Sequence, residues 1–207
     1  YIFSWPVLRE ALIRLSEEPG CDFGKHIIPH CHGGGKRIFA YEYNGYWKDV
    51  GTLNSYWEAN MELIDIVPEF NLYEEYWKIY TKSETLPPQY ISDRSVIERC
   101  IIGEGSEIYG KVYNSVIGCG VVIGEDTVVR DSIIMNQTQI GRGCVIEKAI
   151  IDEYTKVGDN TQLGTMPEKE NDTRPDIYNN GIVTVGEKTI VPPNVKIGKN
   201  AVVFGET

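Results

Sequence analysis

Residues 116–163 read VIGCGVVIGEDTVVRDSIIMNQTQIGRGCVIEKAIIDEYTKVGDNTQL. Aliphatic residues recur every six positions in this stretch, often followed by glycine, as at Ile117, Ile123 and Val129. The whole set is repeated seventeen residues later and again after another seventeen (117, 134, 151). The repeated sets are Ile134, Ile140, Ile146 and Ile151, Val157, Leu163. This period predicts a parallel β-helix with three-sided coils, in which each coil buries its inward aliphatics only against its neighbours.

The repeat extends beyond this stretch in both directions. Upstream it is looser, at Ile97, Ile102 and Ile108. Downstream it returns after a polar insertion at 165–181, with Val185, Val191, Ile197 and Val203. Aliphatic–glycine pairs could arise by chance in a chain with 21 glycines, but an offset shared by three positions argues against chance. We therefore place a hexapeptide-repeat β-helix at 90–207.

The first part of the chain follows a different pattern, in which helical and strand-like segments alternate. Such alternation is typical of an α/β domain, which we place at 1–67. The expected elements are a buried strand at 1–5, a helix from Pro6 to about Ser16, a short helix capped by Asp22, a half-buried strand at 37–43, and a helix capped by Asn54 or Ser55 that ends near Val67. An aromatic stretch follows, with Phe70, Tyr73, Tyr76, Trp77 and Tyr80, and we expect residues 68–89 to form a packed helical linker.

Composition excludes several classes of function. Thirty acidic against twenty basic residues give a net charge of −10, which disfavours nucleic acid as a partner. No apolar stretch reaches the roughly 18 residues of a membrane span. The five cysteines are an odd number without CxxC pairs, which indicates reduced thiols in a cytoplasmic protein. Since the chain starts at Tyr1 rather than Met, we expect it to begin inside a domain.

The densest group of candidate functional residues is GYWKDVGT, at 45–52. Asp49 lies in the connection between the expected strand and the expected third helix, where a carboxylate can face a cleft. One carboxylate can supply one ligand to Mg²⁺, which takes other ligands from water and substrate phosphates. Gly51 allows a ligand to approach closely. From these residues alone, a solvated turn carboxylate remains the stronger alternative.

The run GYWKDVGTLNSYWEANMELI at 45–64, with DFGKHIIP at 22–29 and the hexapeptide half, resembles bacterial glucose-1-phosphate adenylyltransferases over essentially the whole chain. The resemblance implies part of a nucleotidyltransferase domain followed by a left-handed parallel β-helix. It also implies that Asp49 is a catalytic residue and a metal ligand for Mg²⁺. The implied reaction converts ATP and glucose 1-phosphate into ADP-glucose and pyrophosphate for glycogen synthesis. Relatives are tetramers, so we expect a homo-oligomer.

Several alternatives stay open at this point. The chain could belong to a non-catalytic regulatory or scaffolding subunit, or to a mannose-1-phosphate guanylyltransferase-like enzyme. The family's Gly-rich nucleotide loop has no match here, so we expect this chain alone to be inactive. Lys25 is a candidate phosphate neighbour, with a solvated lysine as the alternative. His26 stands where the family commonly has an acidic residue, and a metal site with His30 and His32 lacks a defined fourth ligand.

Overall fold

The structure is a computed structural model that describes residues 1–17, 19–72, 74–82 and 85–205. The chain divides into two compact units, residues 1–45 and residues 46–207. Among the described residues, no helix has the length and apolar character needed to cross a membrane.

The first unit is built from short helices. Its elements are α1 at Trp5–Arg14, a π-helical turn at Phe23–Ile27 and α2 at Ile28–Gly33. The apolar face of α1 buries Ala11 against Ile27 and Cys31. Asp22 caps the π-helical turn, since its Oδ1 accepts a hydrogen bond of 2.7 Å from the Lys25 backbone N–H. The predicted first helix and the predicted cap at Asp22 are therefore confirmed.

The two strands predicted for this unit are wrong. Residues 1–4 and 37–43 form neither helix nor strand, and Ile2, Phe39 and Tyr41 are exposed. A strand needs a neighbour to pair with its backbone N–H and C=O groups, and apolar alternation alone does not supply one. No strand is present among the described residues of 1–45 to act as that neighbour.

In the part of the second unit that the structure describes, there are helix α3, at Leu53–Glu62, and sixteen short strands. The strands are β1 Tyr90–Ile91, β2 Val96–Ile102, β3 Glu107–Ile108, β4 Lys111–Ile117, β5 Val122–Ile123, β6 Val128–Arg130, β7 Ile133–Ile134, β8 Gln139–Ile140, β9 Val145–Glu147, β10 Ala149–Ile151, β11 Lys156–Val157, β12 Gln162–Leu163, β13 Val183–Val185, β14 Ile190–Val191, β15 Lys196–Ile197 and β16 Val202–Val203. They pair in parallel throughout.

The strand pairing gives the three sides of a parallel β-helix. One side is the six-stranded sheet β1-β3-β5-β8-β11-β14. The other two sides join into one sheet, because β4 turns a corner at Asn114 (φ 43°) and pairs with β6 before the corner and with β7 after it. Ile123 pairs with Ile140 seventeen residues later, as the sequence period requires. The predicted fold of this region is confirmed. The offset between coils is two residues shorter upstream, where Ile97 pairs with Val112 and Ile108 pairs with Ile123, although Ile91 and Ile108 keep the regular offset.

The repeated aliphatics fill the interior of the coils as one continuous column. The fully or nearly fully buried members include Ile108, Val112, Ile117, Ile123, Val129, Ile134, Ile140, Ile146, Ile151, Val157, Leu163, Val185 and Val191. Buried hydroxyls at the corners connect one coil to the next. For example, the Thr127 hydroxyl donates to the Gly141 carbonyl at 2.6 Å and accepts from the Cys144 N–H at 3.0 Å. The corners therefore satisfy buried backbone groups that no strand pairs.

The expected helical linker at 68–89 is wrong for the residues that the structure describes. These residues contain no helix, and Tyr76, Trp77 and Tyr80 are almost fully exposed. A short helix in water gains most of its stability by burying an apolar face, and these aromatics bury none. Tyr73 lies outside the described residues. Helix α3 also ends earlier than predicted, at Glu62 rather than near Val67.

The cysteines are all free, as expected. Of the three in the coils, Cys144 is buried, whereas Cys100 and Cys119 are only half-buried. Burial raises the pKa of the Cys144 and Cys100 thiols. Both therefore stay protonated at neutral pH and act as small packing residues.

The buried column predicts that two adjacent residues of β8 contribute very differently to the stability of the fold. Ile140 is buried, whereas Gln139 is exposed on the same strand. We expect Ile140→Ala to lower the free energy of unfolding by about 2–5 kcal/mol, because it leaves a cavity in the column. Gln139→Ala is the matched control and is expected to change it by less than about 0.5 kcal/mol. Denaturant unfolding of both variants checks this, and equal effects would contradict the assignment of inward and outward faces.

Candidate functional site

The segment at 46–52 contains Asp49, the residue singled out in the sequence. Its side chain is exposed, and none of the hydrogen bonds or ion pairs among the described residues involves its carboxylate. Burial alternates along the segment, because Tyr46 and Lys48 are half-buried whereas Trp47 and Asp49 are exposed. Asp49 therefore faces the opposite way from the two residues that pack against the rest of the unit.

Two neighbours of Asp49 are held by carboxylates of α3. The Glu62 Oε2 accepts a hydrogen bond of 2.9 Å from the Tyr46 hydroxyl, and its Oε1 accepts one of 2.5 Å from the Lys48 Nζ. The Lys48 Nζ also lies 3.2 Å from a Glu58 carboxylate oxygen. The hydrogen bond with Glu62 raises the pKa of Lys48, and the same bond lowers the pKa of Glu62. Both groups therefore remain charged around neutral pH. We call this arrangement the Glu62 clamp.

Helix α3 begins directly after this segment, and its cap differs from the prediction. The N-cap is Thr52 rather than Asn54 or Ser55. The Thr52 hydroxyl accepts from the Ser55 N–H at 3.1 Å, and the Ser55 hydroxyl accepts from the Thr52 N–H at 3.0 Å. Serine at the third helical position takes the place of the usual Glu or Gln of a capping box, so the usual sequence pattern does not mark Thr52 as the cap.

Helix α3 packs on one flank of the β-helix. Its apolar residues Leu53, Tyr56, Trp57 and Met61 cover a small cluster formed by Ile133, Ile150 and Ile182. The Trp57 Nε1–H donates a hydrogen bond of 2.7 Å to the Asp131 carbonyl, and the Lys148 ammonium lies 5.1 Å from the centre of the Trp57 ring. Trp57 therefore has a packing role on this flank. The helix thereby connects the Asp49 segment to the coils.

The surroundings of Asp49 fit one metal ligand and no complete metal centre. A Cβ placed on Gly51 would stand 3.4 Å from Asp49 Oδ1, so the glycine leaves the space beside the carboxylate open. Among the described residues, no group of three or more His, Cys, Asp or Glu side chains could hold a metal ion. A site built on Asp49 would therefore need further ligands from water, from substrate phosphates or from another part of the protein.

The other residues named from the sequence lie in the first unit. Lys25 is exposed, and its backbone N–H serves the Asp22 cap. His26 has a local structural role that sequence reasoning missed, because its Nδ1 accepts a hydrogen bond of 3.0 Å from the Asp22 N–H. Together with the cap, this bond links Asp22 to both Lys25 and His26 of the turn. His30 lines a cleft of about 550 Å³ together with Glu10, Arg14 and Lys36.

Comparison with known protein families defines the class of the chain. Residues 1–66 match the family model described as nucleotidyl transferase, and residues 86–185 match the one described as GlmU-like, C-terminal hexapeptide. The chain therefore combines part of a nucleotidyl transferase domain with a hexapeptide-repeat β-helix, as the sequence predicted.

Curated relatives show which nucleotidyl transferases the chain is similar to. The chain is 63% identical over its whole length to the glucose-1-phosphate adenylyltransferase of Lachnospira eligens, covering 49% of that protein. It is 47% identical to the enzyme of the same name from Acetivibrio thermocellus, with 98% of the chain and 48% of the relative aligned. The Fervidobacterium nodosum enzyme is 44% identical over 98% of the chain and 49% of its own length. The resemblance to glucose-1-phosphate adenylyltransferases is confirmed, and the chain spans about half the length of the curated relatives that it matches.

Sequence reasoning did not single out the Glu62 clamp. The signal that was available is the pair Glu58 and Glu62, which are four residues apart and therefore lie on one face of α3. What the sequence could not show is that Lys48, on the other side of the helix cap, returns to this face.

The packing of Trp57 leads to a test of how α3 is held. We expect Trp57→Phe to lower the free energy of unfolding by about 0.5–1.5 kcal/mol, because the Asp131 carbonyl loses its donor while most of the buried ring remains. The matched control is Trp77→Phe, since Trp77 is 82% exposed. Chemical unfolding of both variants measures the difference. An unchanged free energy of unfolding in Trp57→Phe would contradict a stabilising hydrogen bond from Trp57 to the Asp131 carbonyl.

Proposed function

We propose that the chain is part of an enzyme that forms ADP-glucose and pyrophosphate from ATP and glucose 1-phosphate, in the cytoplasm, to supply glycogen synthesis. The observation that carries the proposal is the exposed Asp49 carboxylate, which has no partner among the described residues, beside the open space at Gly51. It occurs in a chain that is similar over its whole length to glucose-1-phosphate adenylyltransferases.

In this proposal Asp49 is both a catalytic residue and a ligand of Mg²⁺. When bound, the metal ion would neutralise charge on the phosphates during phosphoryl-type transfer. Asp49 would hold the ion at a fixed position, and the Gly51 backbone would leave room for the phosphates beside it. The glucose 1-phosphate oxygen would attack the α-phosphorus of ATP, and pyrophosphate would leave with the bonding electrons.

The role of Lys25 is a separate part of the proposal. Its exposed ammonium could contact a substrate phosphate as a point charge. The alternative is a solvated lysine whose main contribution is the backbone N–H that Asp22 accepts. A charge-removing variant separates the two roles, because the backbone N–H is retained. We expect Lys25→Gln to raise the KM for glucose 1-phosphate with little change in kcat if the phosphate contact exists.

The non-catalytic alternative makes a different use of the same chain. A regulatory or scaffolding subunit would use the β-helix for contacts between protomers, and the assembly would be a homo-oligomer in either case. The presence of Asp49 favours the enzyme, because this is the residue that the resemblance implies to be the metal ligand, and the chain retains it.

The main test is Asp49→Asn in the full-length protein. Losing the charge should lower kcat by on the order of 100-fold, because metal-assisted charge stabilisation contributes several kcal/mol and each 1.4 kcal/mol is tenfold. Pyrophosphate release measures the rate. Asp93→Asn, another exposed turn carboxylate, is the control and should leave kcat unchanged. Normal turnover of Asp49→Asn would contradict the proposed role.

Substrate choice is tested by the same assay. We expect pyrophosphate release by the full-length protein with ATP and glucose 1-phosphate, and much slower release when GTP or mannose 1-phosphate replaces either one. A preference for GTP with mannose 1-phosphate would instead support the guanylyltransferase alternative. No release with any pair would support the non-catalytic subunit.

A further inference from the structure

The Glu62 clamp has a geometry that bears directly on Asp49. One carboxylate accepts hydrogen bonds from both Tyr46 and Lys48, so these two side chains lie on the same side of the segment. The residues that alternate with them, Trp47 and Asp49, are exposed on the other side. With both flanking contacts made, the segment cannot rotate about its own axis without breaking a charge-assisted hydrogen bond.

The clamp is fixed at its other end as well. Glu62 lies on the last turn of α3, whose Trp57 donates to the Asp131 carbonyl and whose apolar face covers Ile133 and Ile150 of the β-helix flank. The segment ends at Thr52, which is the N-cap of α3, so the capping box joins the segment directly to the helix. A continuous set of contacts therefore runs from the coils through α3 to the residues on either side of Trp47.

We propose that Glu62 is a positioning residue for Asp49, which it holds on the outward side of the segment by binding Tyr46 and Lys48. This inference rests on the proposed function of Asp49 as a metal ligand. Glu58 has a lesser part, because it contacts only Lys48 and also accepts a hydrogen bond of 2.7 Å from Asn54. Glu62 touches no substrate in this scheme and acts only through the two residues that it binds.

The test compares Glu62→Gln with Glu125→Gln in the full-length protein. Glu125 forms an exposed ion pair with Arg142 on the coils, far along the chain from α3, so the control loses a contact of the same kind. In Glu62→Gln we expect hydrogen–deuterium exchange of the Thr52 amide, which donates to the Ser55 hydroxyl where the segment joins α3, to rise roughly tenfold without Mg²⁺, because the hydrogen bonds that hold the segment on α3 are lost. We also expect the Mg²⁺ concentration for half-maximal activity to rise roughly tenfold, as for the loss of other groups that orient a metal ligand. Glu125→Gln should change neither quantity.

A second variant removes the same contacts from the other side. The double substitution Tyr46→Phe with Lys48→Met should match Glu62→Gln in both measurements, and combining all three should add little more, since the residues act as one unit. Unchanged exchange and unchanged Mg²⁺ dependence in Glu62→Gln would overturn the inference. So would increased exchange with unchanged Mg²⁺ dependence, because the clamp would then order the segment without positioning a ligand.

Asp49→Asn, measured alongside, separates this inference from the proposed function. If Asp49→Asn impairs turnover while Glu62→Gln keeps normal Mg²⁺ dependence, only the positioning role of Glu62 fails. If Asp49→Asn leaves turnover and Mg²⁺ dependence normal, the metal role of Asp49 fails and the positioning role falls with it.

Discussion

Parallel pairing between successive coils is the interaction on which the second unit depends. A single coil carries only three inward aliphatics and could not exclude water from them. Stacked at a spacing of seventeen residues, the same side chains form a continuous column, and residues such as Ile134 and Ile151 are completely buried. Hydroxyls such as that of Thr127 satisfy backbone groups where the chain turns. Each strand has only two or three residues in most coils, so cohesion comes from repetition rather than from any one strand.

The flank of this stack also supports the candidate site. Ile133 and Ile150 point away from the column and would be exposed if α3 did not cover them. Burial of these residues therefore stabilises the position of α3 whether or not the chain takes part in catalysis. Because Glu58 and Glu62 belong to this helix, the position of the segment that carries Asp49 is tied to the coils rather than set by the segment itself. The left-handed winding and the oligomeric assembly remain expectations from the resemblance.

The period of the coils was readable from the sequence because every repeat reports the same environment, so Ile117, Ile134 and Ile151 support one another. Helix α1 and the Asp22 cap were readable because their signals are local. The strand expected at 37–43 failed because pairing is not local, and the alternating residues had no described strand beside them. The helix expected at 68–89 failed for a related reason, since Tyr76 and Trp77 found no surface to pack on. Asp49 was named from its motif, and its role stays a prediction. The Glu62 clamp depends on how Lys48 folds back onto α3, which the spacing of Glu58 and Glu62 does not show.

The insertion at 165–181 shows how the stack accommodates extra chain. The ladder resumes after it without loss of register, since β10 pairs with β13 as it does with β7. Asn200, from the following coil, closes the insertion, because its Oδ1 accepts from the Gly181 N–H at 2.6 Å and its Nδ2 donates to the Lys169 carbonyl at 2.9 Å. In this fold each coil pairs only with the coils next to it. A loop can therefore be inserted or deleted at a corner without changing the strand register of distant coils. Corners of this kind are therefore where such a protein can diversify its outer surface during evolution without rebuilding its interior.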